Sequence, residues 1–393
     1  MTDRPQLTVI SALGVVQILT WGTSYYLLTV LAPPIAADTG WPLPWIVGGL
    51  SAGLLVSGLI SPRVGRAIGH YGGRPVLALA TVVLALGLVV IGLAPALPVF
   101  FLGWLVLGAG MGAGLYDAAF ATLGRLYGAS ARPAITTLTL WGGFASTVCW
   151  PLSAFLVEHL GWRGTCVTYA GLLLVVALPL VLLVLPASAP LPTSGLRSRS
   201  VGTEPLTGRE RRAFLLLAGI LTLGGATTAI VSVHLLNLLQ AQGASLTAAV
   251  SLGALVGPSQ VVARVIEMAN KGRHHPIWTL TAAMALIALG LVLLWAGFPV
   301  LAVALVLYGA GNGIYSIARG TLPLALFGPE RYAPLLGRLA LPNLVAQALA
   351  PSLGAVILAG EGAHTTLAVL AGLAVINLLL VGALWRERHA APA

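Results

Sequence analysis

Charge is what this sequence has least of. Only 8% of its 393 residues are Asp, Glu, Lys or Arg, while 58% are hydrophobic; soluble domains carry about 25% charged residues. So little charge excludes a disordered chain, a coiled coil and a solvated multidomain enzyme. Cysteine is nearly absent as well. Cys149 and Cys166 both stand in apolar surroundings and read as small buried hydrophobes, with no disulfide framework. Two thiols also fall short of a three-thiolate metalloid site. The alternation of polar and apolar residues that a membrane β-barrel needs is missing. What is present is continuous apolar sequence, with a mean hydropathy of +0.98. Helices then remain as the way to satisfy the backbone inside lipid, and the chain reads as an all-α polytopic membrane protein.

Each spanning helix takes about 20 residues. The apolar runs predict spans near 8–32, 45–62, 75–95, 98–123, 134–157, 165–186, 213–239, 245–266, 277–296, 298–323, 333–358 and 364–385, twelve transmembrane helices in all. Asp3 and Arg4 cancel, and the stretch from Leu7 to Pro33 is too long for a signal-peptide core, so it is taken as the first span.

The formal net charge of +10 raises the question of nucleic acid. The distribution answers it. Arg63, Arg66 and Arg74, Arg125 and Arg132, Arg197 to Arg212, Lys271 and Arg273, Arg331, Arg386 and Arg388 fall in alternate loops, whereas the other loops carry Arg163, Asp38, Glu158 and Glu361. This asymmetry is the positive-inside pattern and places both termini in the cytoplasm of a multi-pass protein of the inner (plasma) membrane. The basic balance reports topology and contact with anionic lipid, not nucleic acid.

The longest polar stretch, Pro186 to Arg212, lies at the chain midpoint and reads as a cytoplasmic linker (188–212) between an N-terminal bundle (1–187) and a C-terminal bundle (213–393). A shift of 199 residues carries Gly110, Gly112, Gly114, Tyr116, Thr122 and Leu123 onto Gly309, Gly311, Gly313, Tyr315, Thr321 and Leu322. The same shift carries Gly58, Gly73 and Arg74 onto Gly257, Gly272 and Arg273. Two pseudo-symmetric six-helix bundles in parallel repeat form an architecture of secondary transporters.

The stretch from Gly65 to Pro75 carries a more specific resemblance. Gly65, Gly72 and Arg74 match the loop motif between the second and third helices of the major facilitator superfamily, which the chain resembles over its whole length. Gly69 stands where that family usually has Asp and His70 where it has Arg, a departure that weakens the conformational latch this Asp makes in relatives. Lys271-Gly272-Arg273 is a partial counterpart in the second half. Trp150-Pro151 faintly resembles the antiporter motif of drug exporters, and the layout from His234 to Arg264 is similar to that of monocarboxylate-transporter-like members. The resemblance implies alternating access, with helices one, four, seven and ten lining the solute cavity.

The run from Gly108 to Gly114 lacks the strand that a nucleotide-binding loop requires and reads as close helix packing. No Walker loop, metal-ligand cluster or nucleophile constellation stands elsewhere, so neither a cofactor nor an enzymatic activity is expected. Asp117 is the acid most firmly inside a span, and an ionisable group at membrane depth faces a cavity or a partner. It is the candidate proton carrier, with His234 near the outer end of helix seven as the second titratable candidate. Asn312, Tyr315, Ser316 and Arg319 share one helix face at i, i+3, i+4 and i+7. Arg319 offers a planar fork to an anion or a gate partner to Asp117, which the family layout puts across the interface between halves. Gln17, Trp21 and Tyr25, with Ser24 alongside, form an aromatic and polar face on helix one, and Tyr116 precedes Asp117 on helix four; all are candidate solute contacts. Gln260, Arg264 and Glu267 form a further face, in which Arg264 pairs locally with Glu267 or, as the monocarboxylate resemblance implies, contacts solute.

The expectation is a proton-coupled secondary transporter of a small organic solute, working as a monomer in contact with membrane lipids, with efflux by antiport favoured over uptake. Uptake of a small organic anion is the alternative, for which Arg319 and Arg264 speak. A membrane sensor that kept the fold without transport is a further alternative.

Overall fold

The structure, a computed structural model, describes residues 6–187, 206, 208–270 and 273–387. Regular structure among them is helical throughout. Most of the expected linker, with Arg197 and Arg199, lies outside the described residues, as do Asp3, Arg4, Lys271, Gly272 and Arg388.

Among the described residues, twelve helical legs follow one another. The first three, α1 (Gln6–Thr39), α2 (Leu43–Tyr71) and α3 (Gly73–Gly92), are separate apolar segments. The apolar segment Leu97–Val184 contains three more. These are α4 (97–127), α5 (131–160) and α6 (162–184), parted by the 3-10 turn Gly128–Ser130 and by Gly161 at φ 68°. Next come α7 (Gly208–Ala241), α8 (Leu246–Ala269) and α9 (Pro276–Trp295). The last segment, Leu301–Glu387, turns at Gly328 (φ 73°) and Gly362 (φ 82°) into α10 (301–327), α11 (329–361) and α12 (363–387).

The chain divides into two compact units. The first contains α1 to α6 together with residues 329–341 of α11; the second contains α7 to α10, the remainder of α11 and α12. In each unit small residues let helices approach closely, the packing that membrane helices favour. A Cβ on Gly112 would stand 2.7 Å from the Ser57 carbonyl oxygen of α2, and one on Gly110 would stand 2.8 Å from the Leu84 nitrogen of α3. In the second unit Gly313 faces Gln260 of α8 and Gly311 faces Ala283 of α9 in the same manner, at 2.5 and 2.7 Å.

Packing thus pairs Gly108, Gly110 and Gly112 with Gly309, Gly311 and Gly313, an offset of 201. That corrects the offset of 199 for this glycine run. α4 has an extended residue, Leu115 (φ −81°, ψ −169°), while α10 runs through without such a break.

At the end of the first unit opposite its N-terminus, three side chains tie α1 to α6 and to the α3–α4 turn. Trp162 Nε1 donates to Asp38 Oδ2 at 2.9 Å, Arg163 pairs with the same oxygen, and Arg163 also donates to the Ala94 carbonyl at 3.4 Å. The Arg163 guanidinium lies 4.2 Å from the Trp162 ring centroid. The Trp162 hydrogen bond foremost, and then Arg163, hold the Asp38 carboxyl below the usual carboxylate range.

Candidate functional site

The first unit concentrates its irregular backbone at mid-span. α1 is interrupted between Gly22 and Leu27, where Gly22, Thr23 and Ser24 are poor helix formers. The Ser24 hydroxyl donates back to the Thr20 carbonyl at 2.5 Å, a local bond that competes with the helix ladder. The Thr23 hydroxyl is buried without a partner among the described residues. α4 is interrupted at Leu115, after the glycine run, and resumes at Tyr116. Such backbone is tolerated at membrane depth only inside protein or along a water-filled cavity.

The candidate contacts of this unit meet at the two breaks. Gln17 is 0% exposed. Its Nε2 donates to the Gly114 carbonyl at 2.8 Å, just before the α4 break, and its Oε1 accepts from Trp21 Nε1 at 3.2 Å. Trp21 lies 5.0 Å from the Tyr116 ring, 5.3 Å from Tyr25 and 6.0 Å from Tyr26 between centroids. Tyr116 in turn stacks on Phe120 at 5.0 Å and donates its hydroxyl to the Thr139 carbonyl of α5 at 3.3 Å. The i, i+4 pattern therefore located a real cluster, but Gln17 spends both ends of its amide inside the protein. Asp117 occupies the first turn of the resumed helix and is half-buried. A carboxylate there sits next to the open N–H groups of a helix start. Tyr26 and Trp150, 6.1 Å apart, extend the aromatic cluster and were not anticipated.

In the second unit, the polar face of α10 turns partly toward α7. Asn312 Oδ1 accepts from the Thr228 hydroxyl at 3.3 Å, and Tyr315 donates its hydroxyl to the Leu221 carbonyl at 3.2 Å. Ser316 bonds the Gly313 carbonyl of its own helix at 2.7 Å. Arg319 is half-buried. Arg264 is 7% exposed, donates from Nε to the Gly313 carbonyl at 3.2 Å and from a terminal nitrogen to Gln260 at 3.3 Å. That geometry binds α8 to α10. Glu267 accepts from the Thr279 hydroxyl at 2.7 Å and lies 3.3 Å from His274. His234, 7% exposed, contacts the Pro351 carbonyl through Nε2 at 2.9 Å and so ties α7 to α11.

Three amides of this unit escaped the sequence reading. Asn343 and Asn377 are each 2% exposed, and Gln347 Nε2 donates to Asn343 Oδ1 at 3.1 Å. Asn377 donates to the Ile220 carbonyl at 3.1 Å, and its own oxygen is buried without a partner among the described residues. Carboxamides within apolar spans were the available signal.

The loop motif lies at the N-terminal end of the first unit. Gly72 ends α2 at φ 85°, a conformation that favours glycine, and a Cβ on the adjacent Gly73 would collide with Thr122. Gly65 and Gly337 cross so closely that a Cβ on either would enter its neighbour's backbone, at Ala333 and Ser61 respectively. The carbonyl of Gly69, at the position of the missing Asp, accepts from Arg125 at 2.6 Å. Arg74 is half-buried at the start of α3.

Known proteins agree with this architecture. The human organic anion transporter MFSD10 superposes with a TM-score of 0.75 at 17% identity, over 96% of this chain and 100% of that one. A variant of the E. coli fucose:proton symporter FucP superposes with a TM-score of 0.73 at 16% identity, over 97% and 99%. At such identities these likenesses establish the fold. No curated protein sequence matches the chain. A family description, PUCC protein, matches residues 231–381. That of the Major Facilitator Superfamily matches residues 13–274. A multi-pass helical membrane protein with this fold and this match belongs to the major facilitator superfamily of secondary transporters.

Proposed function

We propose that the chain is a proton-coupled transporter of a small organic solute, working by alternating access in the inner membrane, with efflux favoured over uptake. The observation that carries this reading is the pair of mid-span breaks in α1 and α4, brought together by Gln17 and by the Trp21–Tyr116 contact. Discontinuous helices near the membrane midplane are where secondary transporters build solute and ion sites. Trp21, Tyr25 and Tyr116 present the aromatic surface, and Asp117, in the first turn beyond the α4 break, carries the coupling proton. Gln17 holds the two breaks together, Arg264 braces α8 on α10, and His234 braces α7 on α11. Both termini face the cytoplasm, as the loop charges indicate.

Uptake of an organic anion remains the second reading, because Arg319 closes the polar face that Asn312 and Ser316 share. MFSD10 is an organic anion transporter and FucP a proton symporter, so the fold accommodates either.

The test is Asp117→Asn in proteoliposomes, with radiolabelled monocarboxylates and fluorescent organic cations as solutes. Flux driven by a pH gradient should be abolished while counterflow persists, because coupling requires that protonation and conformation be linked. Wild-type pH-driven flux in the variant would remove Asp117 from the mechanism.

A further inference from the structure

We infer that the second unit carries an uncharged hydrogen-bonding subsite, built from Thr228, Asn312, Asn343 and Gln347, that selects a hydroxylated or carboxamide-bearing solute. This rests on reading the chain as a solute transporter and adds a substrate class to that reading.

Gly225 and Thr228 of α7 are three residues apart and share a helix face. Opposite Gly225, Asn343 Oδ1 occupies the space a Cβ would take, and Gln347 Cγ lies 3.2 Å from that position. Opposite Thr228 stands Asn312, accepting the threonine hydroxyl at 3.3 Å. Asn343 and Gln347 are themselves i, i+4 on α11 and joined at 3.1 Å. Two polar pairs thus flank about one turn of α7, one from α10 and one from α11.

Their remaining hydrogen-bonding capacity is complementary. A carboxamide has two N–H donors and an oxygen with two lone pairs. At Asn312 the oxygen is engaged and Nδ2 makes no bond among the described residues; at Gln347 the nitrogen is engaged and Oε1 makes none. Both side chains are half-buried. Turned to hydrocarbon, these atoms would be costly, so they belong to a polar recess. An open donor and an open acceptor, set on the two helices that flank one turn of α7, suit a group that both gives and takes hydrogen bonds. Hydroxyls and carboxamides do so, whereas a carboxylate only accepts and an ammonium only donates. None of the four residues carries a formal charge that would favour an ion.

The test uses the purified full chain, with pentoses, hexoses and ribonucleosides as neutral probes and monocarboxylates of matched size as controls. A neutral probe should raise the apparent melting temperature of the wild type, as a ligand of the folded state does. Asn312→Leu and Gln347→Leu should each weaken its affinity by roughly 3–10-fold, the loss expected for one neutral hydrogen bond. Should the leucine variants fail to fold, Gln347→Cys supplies a second measurement. Cys149 and Cys166 are buried, and alkylation of the new thiol should slow in the same probe, supplied at about ten times the concentration to offset the lost hydrogen bond. The inference is overturned if no neutral probe shifts the wild type, if the shift survives both leucine substitutions, or if the probe does not protect the new thiol. Its failure is separable from that of the transport reading. Neutral probes that bind normally without pH-driven flux would sink proton coupling and keep the subsite; pH-driven flux of carboxylates alone would do the reverse.

Discussion

Replacing Gln17 by leucine separates two roles that the sequence alone could not. If Gln17 is a solute contact, Gln17→Leu leaves the ligand-free protein intact and weakens solute binding. The geometry predicts the opposite order of effects. Its amide bridges the Gly114 carbonyl of α4 at 2.8 Å and Trp21 Nε1 at 3.2 Å, with none of the side chain exposed. Leucine is similar in size, so the packing change is small. What is lost is the interhelical hydrogen bond, about 0.6 kcal/mol on average inside membranes and at most about 1.7. A buried indole N–H left without its acceptor adds about 1–3 kcal/mol. The sum is about 2–4 kcal/mol. At about 2–4 °C per kcal/mol, the scale for domains of 150–250 residues, the ligand-free melting temperature should fall on the order of 5–15 °C. Trp21 also loses its tether, so its fluorescence should change. Differential scanning fluorimetry without ligand reads both. An unchanged ligand-free melting curve would refute the bridging role and restore Gln17 to the solute contacts.

Further outcomes can be checked alongside. Gly337→Val should destabilise by at least the 1–3 kcal/mol typical of overpacking, because a Cβ there meets the Ser61 carbonyl; a variant melting like wild type would show that the α2–α11 crossing relaxes freely. Arg319→Lys should impair transport of carboxylates more than of neutral solutes, since a fork is exchanged for a point charge; equal effects would favour a packing role. The Asp38 carboxyl is held below its ordinary range, so its stabilisation is present above that range and is lost as pH falls through the lowered value. Melting temperatures measured from neutral pH down to about pH 3 should show that loss in wild type and not in Asp38→Asn. Cysteines introduced at Arg199 and at Arg388 should both resist an impermeant thiol reagent on intact cells; labelling of one alone would break the even helix count between them.

The helix layout was legible because lipid imposes it. A run of about 20 apolar residues has few alternatives to spanning, and the expected span 75–95 differs from the observed α3, Gly73–Gly92, by only a few residues at either end. Breaks inside spans were not legible. The α1 interruption lies where Ser24 bonds Thr20 and Cys149 fills the space beside Gly22, and no hydropathy window carries either fact. The candidate site was half legible. Spacing at i, i+4 put Gln17, Trp21 and Tyr25 on one face, but which end of an amide faces solute depends on what it meets across the helix boundary. The Gly114 carbonyl, exposed by a break not visible in the sequence, decided that for Gln17. Asn343 and Gln347 were visible as amides in an apolar span, yet their pairing around Gly225 depends on a contact more than a hundred residues away in sequence.

The inclusion of residues 329–341 in the first unit bears on how the protein is made. All six helices of that unit are synthesised before the ribosome reaches the segment that packs on Gly65 and Gly124. At about 5–20 residues per second, the interval between the end of α6 and Gly337 is on the order of 10 s. Throughout it, the glycine-lined surface of α2 and α4 waits without the α11 segment that packs on it. A chain truncated before α11 would keep that surface uncovered permanently. Coexpressed halves cut at the linker would have to exchange this segment in trans, so their reassembly should depend on its presence in the second fragment.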